Sequence, residues 1–488
     1  MDHLHADWLT EALLAEHCRG AQALAHALRR WIAAGRLPHG ARLPSSRALA
    51  GELGVARGSV SAAYEQLVAE GYLAARHGSG TYVSAPTLIS TATEAPTANP
   101  RGLSARGHAL VAASRLPNGL TGAFAPGVPE IARFPHATWQ RLVGQAQRKA
   151  GLELFAYRQD GGHPLLREAL ADYLTLSRGV RCDAAQILIV PGAQAALELT
   201  ARLLAEPGDT VWVEEPGYGG AHAAFDAAAL SMQPKPVDEH GLSPDAAPDL
   251  PSPRLIYLTP SHQYPGGVVM PVTRRLELLE TAARHDAWLI EDDYDSEFRY
   301  SSAPIPALQG LDKQGRVIYV GTFSKVLYPA LRLGYLVLPD ALVDPFRRAA
   351  ARLYREGHYP EQAALARFIG DGHFARHIRA MRELYRQRQA LLRAVLAREL
   401  GDALPLSAGE AGLHLIARLP DNFDEDALER SAASEGLWLR TWQRHCLTPT
   451  GTRALVLGYA GVEDRALAHA ATRLARLLQA SDGFAVRR

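Results

Sequence analysis

From Gly122 onward, short apolar runs of strand character alternate with amphipathic stretches of helical period, and no other feature constrains the fold so strongly. The runs include RLIYLTP, AWLIEDDYD, RVIYVGTFSK and LRLGYLVLP, while QILIVPGAQAALEL passes from a strand through a glycine turn into a helix. Strands alternating with helices predict an α/β domain around a mostly parallel sheet. Ligands of such sheets bind outside the carboxyl ends of the strands, which is where these segments place their polar residues.

Those polar residues describe a ligand. Gly192, Ala193 and Gln194 open a helix whose free N–H groups favour a phosphate, and Arg332 is a bidentate clamp for the same group. Asp292 ends an apolar strand and can pair with a protonated ring nitrogen; Tyr294, two residues on, can bond a phenolate oxygen. Lys325 follows another strand. Only four lysines occur (Lys149, Lys235, Lys313, Lys325), and arginine fills 48 of the 52 basic positions. A lysine kept in an apolar, glycine-rich segment therefore invites a chemical role, because lysine can lose its proton and form an imine whereas arginine cannot. A phosphate, a pyridinium, a phenolate and an aldehyde together make pyridoxal 5′-phosphate, with Lys325 as its Schiff-base lysine. Taken singly, each element has another reading. EDDYD suits a magnesium ion, a strand-end lysine suits solvent, and a helix-opening glycine suits a nucleotide.

The first block differs in charge and pattern. Seven arginines against three glutamates between residues 21 and 85 leave it at +4, in a chain whose net charge is +1. Helical spacing covers Ala21–Ala34; Ser45 or Ser46 caps a short helix through Leu53, Gly54 breaks it, and a second helix follows over Ala56–Gly71. Two short strands around HGSG complete a winged helix-turn-helix. Val60, Tyr64 and Leu67 form the buried face of the second helix, and Arg57, Ser59 and Ser61 occupy its exposed first turn. This arrangement suits the major groove of DNA, with Arg42, Arg47, His77 and Gly78 against the backbone or the minor groove.

Composition excludes other classes. With 47% hydrophobic and 21% charged residues the chain reads as an ordinary globular protein. Three separated cysteines (Cys18, Cys182, Cys446) supply neither a disulfide framework nor a zinc cluster, so no metal is expected. No apolar run approaches the ~20 residues of a membrane span, and the charged start spoils a signal peptide, so the expected location is the cytoplasm. The expected organisation is an N-terminal extension (1–20), a winged helix (21–85), an Ala/Thr/Pro/Ser-rich linker without hydrophobic periodicity (86–118) and an effector domain (119–488).

The segment LPSSRALAGELGVARGSVSAAYEQLVAEGYLAARHGSGTYVS resembles the DNA-binding domain of the GntR family. That resemblance implies DNA contacts at Arg47, Ala56, Arg57, Gly58, Ser59, Ser61, His77 and Gly78. Ala56 and Gly58 stand where relatives often carry hydroxyl or amide side chains, which implies fewer base contacts there. TPSHQYPGG, EDDYDSEFRY and GTFSKVLYPALRLGY resemble a fold-type-I, class I/II aminotransferase with large and small subdomains. Together the two halves resemble the MocR family of bacterial transcriptional regulators, which includes GabR, PdxR and TauR types.

The resemblance implies an internal aldimine at Lys325, with Asp292 on the pyridine nitrogen, Tyr294 on the ring hydroxyl and Tyr218 stacked on the ring. Ala193, Gln194, Ser324 and Arg332 surround the phosphate, Tyr157 reaches a neighbouring subunit's phosphate, and His262 lies in the pocket. Arg453 resembles the arginine that receives an effector carboxylate, with Arg440 as a competitor. GABA-responsive members carry a second arginine where this chain has Gly220, which argues against a ligand clamped by two arginines. The function expected is a head-to-tail homodimeric regulator of operator DNA that senses an amine, an amino acid or the cofactor. The alternatives are a working aminotransferase with a DNA-binding head, since half-transamination is chemically available, and a scaffold that never holds cofactor.

Overall fold

The structure is a computed structural model and describes residues 12–13, 20–76, 78–84, 102–113, 122–149, 151–300 and 305–484. The chain forms two compact units, divided at Gly102.

In the first unit, α1 (Ala21–Ala33), α2 (Ser46–Leu53) and α3 (Arg57–Ala69) pack with a three-stranded sheet of β1 (Arg42–Leu43), β2 (Leu73–Arg76) and β3 (Gly80–Val83), in the order β1-β3-β2. Ser45 is the cap of α2, accepting from Ala48 N–H at 3.1 Å, and Gly54 ends the helix in the left-handed conformation that glycine adopts at no steric cost. Val60, Tyr64 and Leu67 are buried, as their spacing predicts, beside Leu24, Leu28 and Trp31 of α1. The sequence reading missed β1. Leu13, within the expected N-terminal extension, is fully buried in this core.

The second unit is built on an eight-stranded sheet: β4 (Ile187–Val190), β5 (Thr210–Glu215), β6 (Ser231–Asp238), β7 (Gly241–Leu242), β8 (Leu255–Leu258), β9 (Trp288–Asp293), β10 (Val317–Thr322) and β11 (Gly334–Val337). The order is β4-β11-β10-β9-β8-β5-β6-β7. Strands β10, β9, β8, β5 and β6 run parallel, β11 is antiparallel to both its neighbours, and β7 turns back on β6. β4, β8, β9 and β10 are buried almost throughout, which explains their continuous apolar runs.

Helices α4 (Ala105–Ala113), α5 (His136–Lys149), α6 (Pro164–Arg178), α7 (Ala193–Leu204), α8 (Gly219–Ala227), α9 (Val272–Arg284), α10 (Asp340–Tyr354), α11 (Tyr359–Gly370) and α12 (His373–Leu400) belong to this unit. A smaller layer follows: β12 (His414–Arg418) pairs antiparallel with β13 (Ala454–Gly458), accompanied by α13 (Glu425–Ser434) and α14 (Asp464–Gln479). Helix α4 corrects the linker reading. Ser104 caps it, accepting from Gly107 N–H at 3.1 Å, and it packs against α8. Its alanines and leucine have high helix propensity, a local signal masked by the Pro/Thr-rich stretch before it. Residues 85–101 and 114–121, the rest of that linker, lie outside the described residues.

Candidate functional site

Parallel register brings the strand ends together. Val320 of β10 sits opposite Asp292 of β9, so the turn after β10 carries Ser324 and Lys325 past the acidic end of β9. The Lys325 side chain runs along Gly127, where a Cβ would stand 3.2 Å from Nζ; with φ at 67°, glycine suits that position on two counts. Burial pulls the Lys325 amine below the ordinary lysine range, and Asp295 and then Asp292 oppose that pull.

Asp292 Oδ2 accepts the Tyr257 hydroxyl at 2.8 Å, while Oδ1 is buried with no partner among the described residues. Loss of solvent pushes this carboxyl up to about 7, although the Tyr257 bond acts in the opposite direction. The neighbouring acids diverge. Glu291 accepts the N–H groups of Leu308 and Gln309, and Asp293 pairs with Arg178 and accepts Tyr319 Oη at 2.6 Å. Asp295 lies 3.1 Å from His262 Nδ1. The EDDYD carboxylates thus face separate partners, Asp292 on the strand face opposite Glu291 and Asp293; among the described residues no group of three or more acidic, histidine or cysteine side chains could hold a metal ion.

Tyr294 donor and acceptor geometry centres on His262, with Oη 2.9 Å from Nδ1. Beside them, the Tyr264 ring meets Tyr218, Tyr294, His414 and His445 edge-on, at centroid distances of 5.2–5.8 Å. At the opposite end, Gly192 (φ 86°) precedes α7, whose first turn holds Ala193 and Gln194. Arg332, in the left-handed region at φ 51°, brings its guanidinium close to Gly192 and donates to Pro191 O at 3.2 Å. The Ser324 N–H donates to Thr322 Oγ1, and Gln194 Nε2 donates to Gly220 O at 3.0 Å. A side chain at Gly220 would collide with the Tyr218 ring as that ring stands here.

Lys325, Asp292, Tyr294, Tyr218 and His262 are therefore brought together, with Gln194, Ser324 and Arg332 at the adjoining turns. Two other expected residues stand apart. Tyr157 is 85% exposed and lines a separate surface cavity of about 420 Å³ with Phe155, Arg355 and Tyr359. Arg453 does not join the cluster: His414 pairs with Gly458 but Arg418 with Ala454, so Arg453 lies one strand length, ~15 Å, from the His414 end. Its guanidinium donates to Thr450 O instead. Arg440, whose carbonyl accepts from Val456 N–H, carries its charge close to Tyr264; it lies over the Trp438 ring at 4.4 Å and 3.8 Å from Glu429. Sequence reasoning missed Tyr257, Tyr264, Asp295, His414 and His445. A tyrosine inside the apolar run RLIYLTP was the one available signal for Tyr257.

On the first unit, Arg42, Arg47, Arg57, Gly58 and Gly78 are exposed, Ser59 and Ser61 half-buried, and Ala56 is the residue before α3. Arg42, Ser45, Ser61 and Glu65 border a groove of about 950 Å³ between α3 and the sheet. His77 lies outside the described residues.

These units define a winged helix joined to a fold-type-I aminotransferase fold. The aminotransferase class I and II family model matches residues 133–474, and that of bacterial regulatory proteins of the gntR family matches residues 21–83. A probable rhizopine catabolism regulatory protein, MocR, of Rhizobium meliloti is 43% identical over 448 residues, 90% of each chain. The pyridoxine biosynthesis regulator PdxR of Corynebacterium glutamicum is 33% identical over 91% of this chain and 92% of its own. Among solved structures, the kynurenine aminotransferase of Pyrococcus horikoshii superposes with a TM-score of 0.68 at 26% identity, over 78% of this chain and 95% of its own. The chain belongs to the GntR-family transcriptional regulators of the MocR type, with an aminotransferase-like domain. Among the described residues no helix is long and apolar enough to cross a membrane.

Proposed function

We propose that this chain binds operator DNA through its winged helix and holds pyridoxal 5′-phosphate in the cluster around Lys325, where it senses an amine, an amino acid or the cofactor itself. One observation carries the reading: a half-buried lysine, its amine drawn out of water, feels the charge of a buried aspartate whose Oδ1 has no partner among the described residues. An orphaned buried acceptor is costly, and a protonated ring nitrogen would satisfy it. The donor set fits the cofactor at its other groups as well. Tyr218 would stack on the ring, Tyr294 would meet its hydroxyl, and the α7 turn with Ser324 and Arg332 would hold the phosphate.

When bound, pyridoxal phosphate supplies an aldehyde carbon open to amines and a ring that takes up electrons. The protein's own part is positional. Burial keeps the Lys325 amine in its nucleophilic form at lower pH than in water. Asp292, held by Tyr257, would keep a proton on the ring nitrogen. Arg440, not Arg453, would receive a carboxylate, because it is the arginine whose charge reaches Tyr264. A bound effector shifts the protein only by its differential affinity for two conformations, read out by heads paired in a homodimer. The exposure of Tyr157 supports its reaching a second subunit.

Borohydride reduction of the cofactor-loaded protein, followed by digestion, tests the reading: the pyridoxyl label belongs on the Lys325 peptide, and its absence there refutes the proposal. The notable alternative is turnover, as in the aminotransferases this domain resembles. Sustained keto-acid release over many turnovers would support it.

A further inference from the structure

The bonds around His262 decide where one hydroxyl hydrogen goes. His262 Nδ1 lies 3.1 and 3.2 Å from the two oxygens of Asp295 and 2.9 Å from Tyr294 Oη. One ring nitrogen offers either a single hydrogen or a single lone pair. A lone pair facing the Asp295 carboxylate would set acceptor against acceptor in a buried place, where both residues are at most 3% exposed. Nδ1 therefore carries the hydrogen, in the neutral ring and in the cation alike. Tyr294 Oη meets that N–H as an acceptor, so its own hydrogen is not spent on His262. Among the described residues no other acceptor holds it.

The imidazole packs closely against backbone on one side. A Cβ at Gly412 would collide with the His262 ring, and one at Gly267 would stand in ordinary contact with Nε2, at 3.4 Å; both glycines have positive φ, 86° and 79°. His414, 5.3 Å away by ring centroid, donates through its own Nε2 to Pro265 O at 2.8 Å and leaves His262 alone. The charged and titratable groups around Tyr294, His262 and Asp295 include Asp292, Glu214, Lys325, Arg299, Tyr264 and His414.

The geometry points to a positioning relay: Asp295 fixes His262, and His262 fixes Tyr294 so that the tyrosine hydroxyl donates into the site, toward the ring oxygen of the cofactor. This inference rests on the cofactor reading above. A donated hydrogen bond favours the deprotonated ring oxygen, so the relay lowers the pH at which the bound chromophore changes colour.

Spectrophotometric pH titration of the full-length protein loaded with pyridoxal phosphate tests it. Tyr294→Phe and His262→Phe should each raise the midpoint by about 0.7 pH unit, the equivalent of one net hydrogen bond. In the double variant, loss of His262 should add nothing to loss of Tyr294, because His262 acts only through that hydroxyl. Asp295→Asn should give a smaller rise that also vanishes in the Tyr294→Phe background; this cycle decides the matter if His262→Phe does not fold. Additive shifts, or no shift on altering His262, overturn the relay while cofactor uptake persists. A wild-type protein that takes up no cofactor overturns the reading beneath it and the relay with it.

Discussion

Asp292 is an acid held where a carboxylate is poorly solvated, and this has a measurable consequence without cofactor. Its folded value, about 7, lies above the ordinary 3.8. The unfolded chain therefore releases this proton first, and folding stability falls as pH rises from about 4 to about 7, then levels. Asp292→Asn should remove that slope and stabilise the cofactor-free protein at pH 7 relative to pH 5, by a few kcal/mol at most. Glu214, also pushed up to about 7, acts in the same direction, whereas His414 and His445, pushed down to about 3, act in the opposite one. Urea midpoints compared between variant and wild type isolate the Asp292 share; equal pH slopes would count against its burial as described. At the same scale, Arg440→Ala should raise the concentration of a carboxylate-bearing amine needed to shift the cofactor absorbance, and Arg453→Ala should leave it unchanged. The reverse pattern would restore Arg453 as the receiver.

Among the elements, α3 and α4 carry separate expectations. Arg57 opens α3 and is exposed there, while Tyr64, farther along, is fixed by its bond to Pro44 O at 2.9 Å. Arg57→Ala should weaken specific operator binding by about 1–3 kcal/mol at fixed salt and leave the cofactor spectrum unchanged. Gel-shift titration measures the first effect and absorbance the second; undiminished operator affinity would mean that α3 does not read the groove through its first turn. Helix α4 depends on its Ser104 cap, and Ser104→Ala should cost it about 1 kcal/mol. Faster hydrogen exchange confined to residues 105–113 is the expected sign.

For the whole molecule, the division at Gly102 separates two cores, one built around Trp31 and Leu67, the other around the eight-stranded sheet. Cofactor binds only the native form of the larger unit in this reading, so saturating pyridoxal phosphate at 100 times its Kd should stabilise that unit by about 2.7 kcal/mol. Scanning calorimetry should then show the larger unit's transition moving up while the winged helix melts where it did before. Joint movement of both transitions would indicate that the units are thermodynamically coupled.

Much of this was determined by the sequence itself. Apolar runs buried on both faces, the Ser45 cap, the Gly54 stop and the order of Gly192, Asp292, Lys325 and Arg332 all rest on local spacing, and local spacing survives in one dimension. Helix α4 was equally local but was hidden by its Pro-rich neighbourhood. Only tertiary structure decided that Tyr257 holds Asp292 from 35 residues away, that Asp295 and His262 meet across 33, and that Arg440 rather than Arg453 reaches Tyr264. The physical reason is that hydrogen-bond accounting and charge proximity depend on sheet order and strand register, which place remote residues within 3 Å or a full strand length apart, and no spacing along the chain encodes either.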